Sequence, residues 1–168
     1  QFPSFTPDVM GTYVLTDTVS NKSLKIYAGT WLGSMTEAGQ SNCKLCHNDV
    51  VAPDKFTGWK ETGHYGSLQR KIDGVYGQDF KEECLSCHAV GYDKSAANGG
   101  FDDQEPGSGW TFPDTLKPGN YEAIMASSKV GPLAGIQCES CHGPQIGPPN
   151  APHANPANKD GASRVSWS

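Results

Sequence analysis

Hydrophobic and polar residues alternate in two short runs near the start of the chain, Thr12-Tyr13-Val14-Leu15-Thr16 and Leu24-Lys25-Ile26-Tyr27-Ala28. β-branched and aromatic residues at a period of two suit half-buried strands, and the polar stretch between the runs (DTVSNKS) is rich in turn formers. The pattern predicts a small N-terminal β-hairpin within residues 1–30, a segment set apart from residues 31–168 and a candidate contact with another subunit.

Further along, the pattern changes to short helical signals. Residues 79–90 (DFKEECLSCHAV) predict a short helix with an acidic, capped start, and residues 121–127 (YEAIMAS) predict another with Tyr121, Ile124 and Met125 on one side. Residues 98–109 (NGGFDDQEPGSG) and 143–156 (GPQIGPPNAPHANP) read as loops, whose glycines would let the backbone approach a flat group closely. The expected fold class is mainly irregular with short α-helices and the small hairpin.

Composition sharpens this picture. Apolar residues are 36% of the 168, with Gly 20 and Pro 12, so something other than aliphatic packing is expected to organise the fold. The net charge of −5 comes without a run of lysine or arginine, which argues against nucleic acid or an anionic membrane surface and favours protein or redox partners. No stretch approaches the roughly 18–20 apolar residues of a membrane span, so no transmembrane segment is expected. Gln1 opens directly into polar sequence, as expected of a processed, exported product.

The chemistry lies in the cysteines. All six fall into three copies of one pattern: Cys43-Lys-Leu-Cys46-His47, Cys84-Leu-Ser-Cys87-His88 and Cys138-Glu-Ser-Cys141-His142. CxxC alone serves redox dithiols, zinc, iron-sulfur clusters or haem, but histidine directly after each pair is the signature of c-type haem attachment. Two thiols on one helical turn can form thioethers with the two vinyl groups of a porphyrin, while the next imidazole reaches the iron. Zinc would need a fourth ligand at each Cys-Cys-His triple.

Three covalently bound haem c groups follow, organising residues 31–168 as a trihaem cytochrome c domain. Thioether attachment takes place outside the cytoplasm, so the chain is expected in the periplasm, at the cell surface or outside the cell. The motifs start at residues 43, 84 and 138, intervals too unequal for a solenoid repeat. With three haems in 168 residues, the cofactors are expected to form much of the core and to lie close together.

Counting iron ligands raises a question. His47, His88 and His142 fill three of six axial positions, and His64 and His153 are the two histidines left to face an iron from the other side. His153 follows His142 by an extended reach of up to about 36 Å, enough to round a haem edge. Because the chain has 5 histidines, one iron lacks a second imidazole, and exchange between identical subunits cannot change that ratio. Met10, Met35 or Met125, a lysine or the N-terminal amine could fill the position, or it could stay open; a methionine would raise the reduction potential and an open iron could bind small molecules.

An ordered series of local patterns carries a family resemblance: Leu32-Gly33-Ser34 before the first motif, Trp59 through Thr62-Gly63-His64, Cys84 to His88 followed by Gly99-Gly100-Phe101, and Gly135 through Pro144 followed by His153. Over roughly residues 31–156 the chain resembles multihaem cytochromes c related to the nitrification-type tetrahaem electron carrier, which also include extracellular cytochrome filaments. The resemblance implies that His64 and His153 are distal ligands. It departs from the family in having three haem motifs rather than four or more, and in lacking a sixth histidine.

The expected function is electron transfer along closely packed haems, as a homo-oligomer or a homopolymeric, extracellular conducting filament that exchanges electrons with a redox protein or an extracellular acceptor. The alternative is a small haem reductase acting on a nitrogen or sulfur oxyanion, or on peroxide, at the histidine-short iron. A third reading is a module that stores electrons or docks to a larger oxidoreductase.

Overall fold

The alternating runs pair as expected. β1 (Gly11–Asp17) and β2 (Lys22–Gly29) run antiparallel, with Leu15 opposite Leu24 and Asp17 opposite Lys22. The turn closes because Asp17 accepts the N–H groups of Val19 at 2.9 Å and Ser20 at 3.3 Å, while Asn21 takes a left-handed conformation that its short polar side chain tolerates. The computed structural model describes residues 5–146 and the backbone of residues 163–166. Those last four form β3 (Ser163–Ser166), which pairs parallel with β2 and gives the order β1-β2-β3. A four-residue strand is too short to stand out by period, so this partner was not expected from the sequence.

The hairpin is tied to the rest at its base. Thr30 and Ile146 exchange two backbone hydrogen bonds, of 2.7 and 3.1 Å, just after the third CxxCH turn. Ile26 and Ala28 at the end of β2 are buried, whereas β1 is mostly exposed.

Among the described residues seven short helices follow: α1 (Glu37–Lys44), α2 (Phe56–Lys60), α3 (Ser67–Ile72), α4 (Leu85–His88), α5 (Phe101–Gln104), α6 (Asn120–Met125) and α7 (Cys138–His142). No helix among the described residues is long and apolar enough to cross a membrane. The helix expected over 79–90 is a 3₁₀ turn (Glu82–Cys84) running into α4. It stops at His88 because Ala89 and Val90 leave to bond the backbone of Ala134 and Leu133. The element expected over 121–127 is α6, with Ile124 fully buried and Tyr121 and Met125 packed beside it.

A protein core exists despite the low apolar content, which corrects the expectation drawn from composition. It is one cluster from Leu68 to Ala134 that buries Leu68, Ile72, Leu85, Phe101, Ile124 and Val130. Aromatic rings supply area that aliphatic residues do not: Phe101 meets Trp110 edge-on at 5.4 Å, Trp110 meets Phe112 at 6.3 Å, and Phe112 meets Phe80 at 6.1 Å. Residues 98–109 are therefore more than a surface loop, since α5 drives Phe101 into this cluster.

Candidate haem-binding site

Each CxxCH motif closes one helical turn. In the first, which leaves the end of α1, the N–H groups of Cys46 and His47 both donate to the Cys43 carbonyl, at 3.1 and 2.9 Å. In the second, Cys84 caps α4; in the third, the whole motif is α7. In every copy the first cysteine and the histidine are half-buried and the second cysteine is exposed. All six thiols are free of disulfides. Each turn thus offers two thiols on one side and an adjacent imidazole, as thioether attachment requires.

The first and third motifs meet in one cavity of about 480 Å³, walled by Cys43 and His47 from one and Cys138, Cys141 and His142 from the other. Burial pushes the thiols of Cys43 and Cys138 above the usual range, and the Cys43 thiol is pushed further by the neighbouring Cys138 and Glu139.

His64 lines the same cavity from the turn between α2 and α3. Its turn is fixed on both sides. Trp59 donates its indole N–H to the Ile136 carbonyl at 3.1 Å and packs edge-on against Tyr65 at 4.8 Å, while Arg70 Nη2 donates to the Gly63 carbonyl at 2.8 Å.

The second motif lies against the core. The His88 ring meets Phe80 edge-on at 5.2 Å, and its Nδ1 is 3.2 Å from Ser67 Oγ. Burial holds the His88 imidazole below its ordinary pKa, with smaller contributions from Lys71 and His64, so His64 stands near this motif as well as in the cavity wall. The Gly135 N–H donates to the His88 carbonyl at 2.9 Å, three residues before the third motif. The third motif is therefore spatially central: it shares a cavity with the first and a backbone bridge with the second.

Two residues of this centre were not singled out by sequence. Gln137 Oε1 accepts from both the N–H and the hydroxyl of Ser34, and its Nε2 donates to the carbonyls of Pro132 and Ala134 at 2.7 and 2.9 Å. Glu139 accepts the N–H groups of Leu32, Gly33 and Gln145. Together they clamp Leu32-Gly33-Ser34 onto α7. The fit is tight enough to demand glycine: Gly33 has φ +74°, and a Cβ there would stand 2.6 Å from the Pro132 carbonyl oxygen, while a Cβ on Gly39 would overlap the Gly33 carbonyl. The signal was present in the paired patterns Leu32-Gly33-Ser34 and Gly135 to Pro144, but their contact spans about a hundred residues.

The cavity suits a flat, largely apolar group. Leu32, Phe56, Trp59 and Ile136 supply hydrophobic wall between the thiols and imidazoles. Gln145 also lines the cavity, and its Oε1 is buried without a hydrogen-bond partner among the described residues. Among the described residues no three His, Cys, Asp or Glu side chains are grouped so as to hold a metal ion.

The candidates for the missing axial ligand separate in space. Met10 is 48% exposed on the hairpin, Met125 packs on the core, and Met35 is buried with its terminal methyl against Gly135; none of the three walls the cavity, whereas Lys55 does. His153 and the N-terminal amine lie outside the described residues.

Residues 42–108 match the family described as Cytochrome c554 and c-prime. The first two CxxCH motifs and His64 fall inside the match, and the third motif falls outside it. The match supports a multihaem c-type cytochrome with covalently bound haem c, a class of electron-transfer protein. No curated protein and no solved structure matches the chain.

Proposed function

We propose that the chain is a trihaem electron carrier in which the haems of the first and third motifs pack against one another and the second joins the relay through the third. The observation that carries this reading is the single cavity walled by cysteines and histidines of two motifs. Bound haem c supplies a one-electron iron couple. The residues of the chain hold, orient and shield it. Cys43 with Cys46, Cys84 with Cys87 and Cys138 with Cys141 would carry the thioethers, and His47, His88 and His142 would each bind an iron. His64 and His153 would supply second imidazoles to two of the irons, and Lys55 is a nitrogen donor in the wall of the cavity. Leu32, Phe56, Trp59 and Ile136 keep water from the porphyrin faces.

The finer reading is an exported subunit of an extracellular homopolymer, with the hairpin at a subunit contact. It is supported by the resemblance described above and by the apolar side chains the hairpin leaves exposed, Val14, Leu24 and Val19, the last 94% exposed. Sheet edges and apolar surface of this kind favour association.

The test is to reduce the loaded protein and offer it either an oxidised soluble redox protein or nitrite, sulfite and peroxide. A carrier is oxidised by the first without sustained turnover of the anions or peroxide; sustained turnover would replace this reading with the reductase. Electron micrographs of the extracellular fraction check the assembly, and dispersed particles at every concentration would remove the filament.

A further inference from the structure

Glu139 stands between the two cysteines of the third motif and is only 3% exposed. Its Oε1 accepts the N–H groups of Leu32 at 3.0 Å and Gln145 at 2.7 Å, and its Oε2 accepts that of Gly33 at 2.7 Å. Three donors converging on two oxygens match an ionised carboxylate, which only accepts; an amide in its place would turn its NH₂ toward at least one of those donors.

The neighbouring clamp shows that holding this segment does not call for charge. Gln137, two residues earlier, grips Ser34 with a neutral amide. At Glu139 the chain uses an anion, and it is buried in the wall of the cavity shared by two motifs. Its field reaches the sulfurs of both Cys43 and Cys138, one from each motif.

Resting on the haem reading above, we propose that Glu139 is a positioning residue for redox potential, a fixed buried anion that lowers the reduction potential of the haem held by the third motif and, more weakly, that of the first. A ferric iron carries one more positive charge than a ferrous one, so a nearby anion favours the oxidised form. Burial weakens solvent screening of that effect. The second motif does not wall this cavity.

The experiment is a spectroelectrochemical titration of Glu139→Gln beside the natural protein, with haem counted in both by the pyridine haemochrome assay. The variant is expected to keep three haems and to show the midpoint of the third-motif haem moved upward, by a change on the order of tenfold in the reduced-to-oxidised ratio at fixed potential, about 59 mV for a one-electron couple, with a smaller upward move of the first. A variant with three haems and unmoved midpoints overturns the inference while leaving the carrier intact. If Glu139→Gln loses haem, Gln145→Glu serves instead. It keeps the Gln145 N–H that Glu139 uses and adds a carboxylate to the same wall, so the same haem should move to lower potential, and an unmoved midpoint overturns the inference. A natural chain that itself lacks three haems would overturn both readings together.

Discussion

Replacing Cys138 and Cys141 together by alanine is expected to lower the covalent haem content from three per chain to two, and also to disturb a haem that neither residue binds. The reason is the shared cavity. Cys43 and His47 line the same space as Cys138, Cys141 and His142, so in the trihaem carrier proposed above an empty third motif would leave the first haem with solvent in place of a neighbour. The expected readout is an altered Soret band and a shifted midpoint for the first haem. The matching double substitution at Cys84 and Cys87 should also remove one haem, yet leave the pair in the cavity spectrally close to the natural protein. An identical residual spectrum from the two double variants would show that the three sites are independent.

His64→Ala should convert one haem from low spin to high spin with every thioether intact. His64 is exposed, and its turn is held by Trp59 and Arg70 rather than by the imidazole, so truncation should cost the fold no more than about 0.5 kcal/mol. The change would appear in the absorption and electron paramagnetic resonance spectra of the oxidised protein, and the intact mass would stay that of the loaded chain less the imidazole. A spectrum equal to that of the natural protein would return His64 to an ordinary surface residue.

Local patterns read correctly where the determining contacts are local. The hairpin follows from alternation and from Asp17 and Asn21 in its turn, and the CxxCH turns follow from spacing alone. What stayed hidden depends on contacts between distant parts of the chain. Phe101 looked like part of a glycine-rich loop because its burial against Trp110 requires the chain to fold back. Glu139 drew no reading from the sequence because two of its partners, Leu32 and Gly33, lie more than a hundred residues away. The pairing of the first motif with the third, rather than with the second that follows it in sequence, is likewise a property of the assembled cavity. Of the two distal histidines proposed, His64 is placed in the cavity wall, and His153 falls outside the described residues.

The reading of the site depends first on three covalent haems, and the intact mass of the denatured natural protein tests this most directly. Thioethers survive denaturation, so the polypeptide should carry the added mass of three haem groups, with all six cysteines resistant to alkylation. A polypeptide that carries one haem or none, or in which the Cys138 and Cys141 thiols remain free to alkylate, would contradict it.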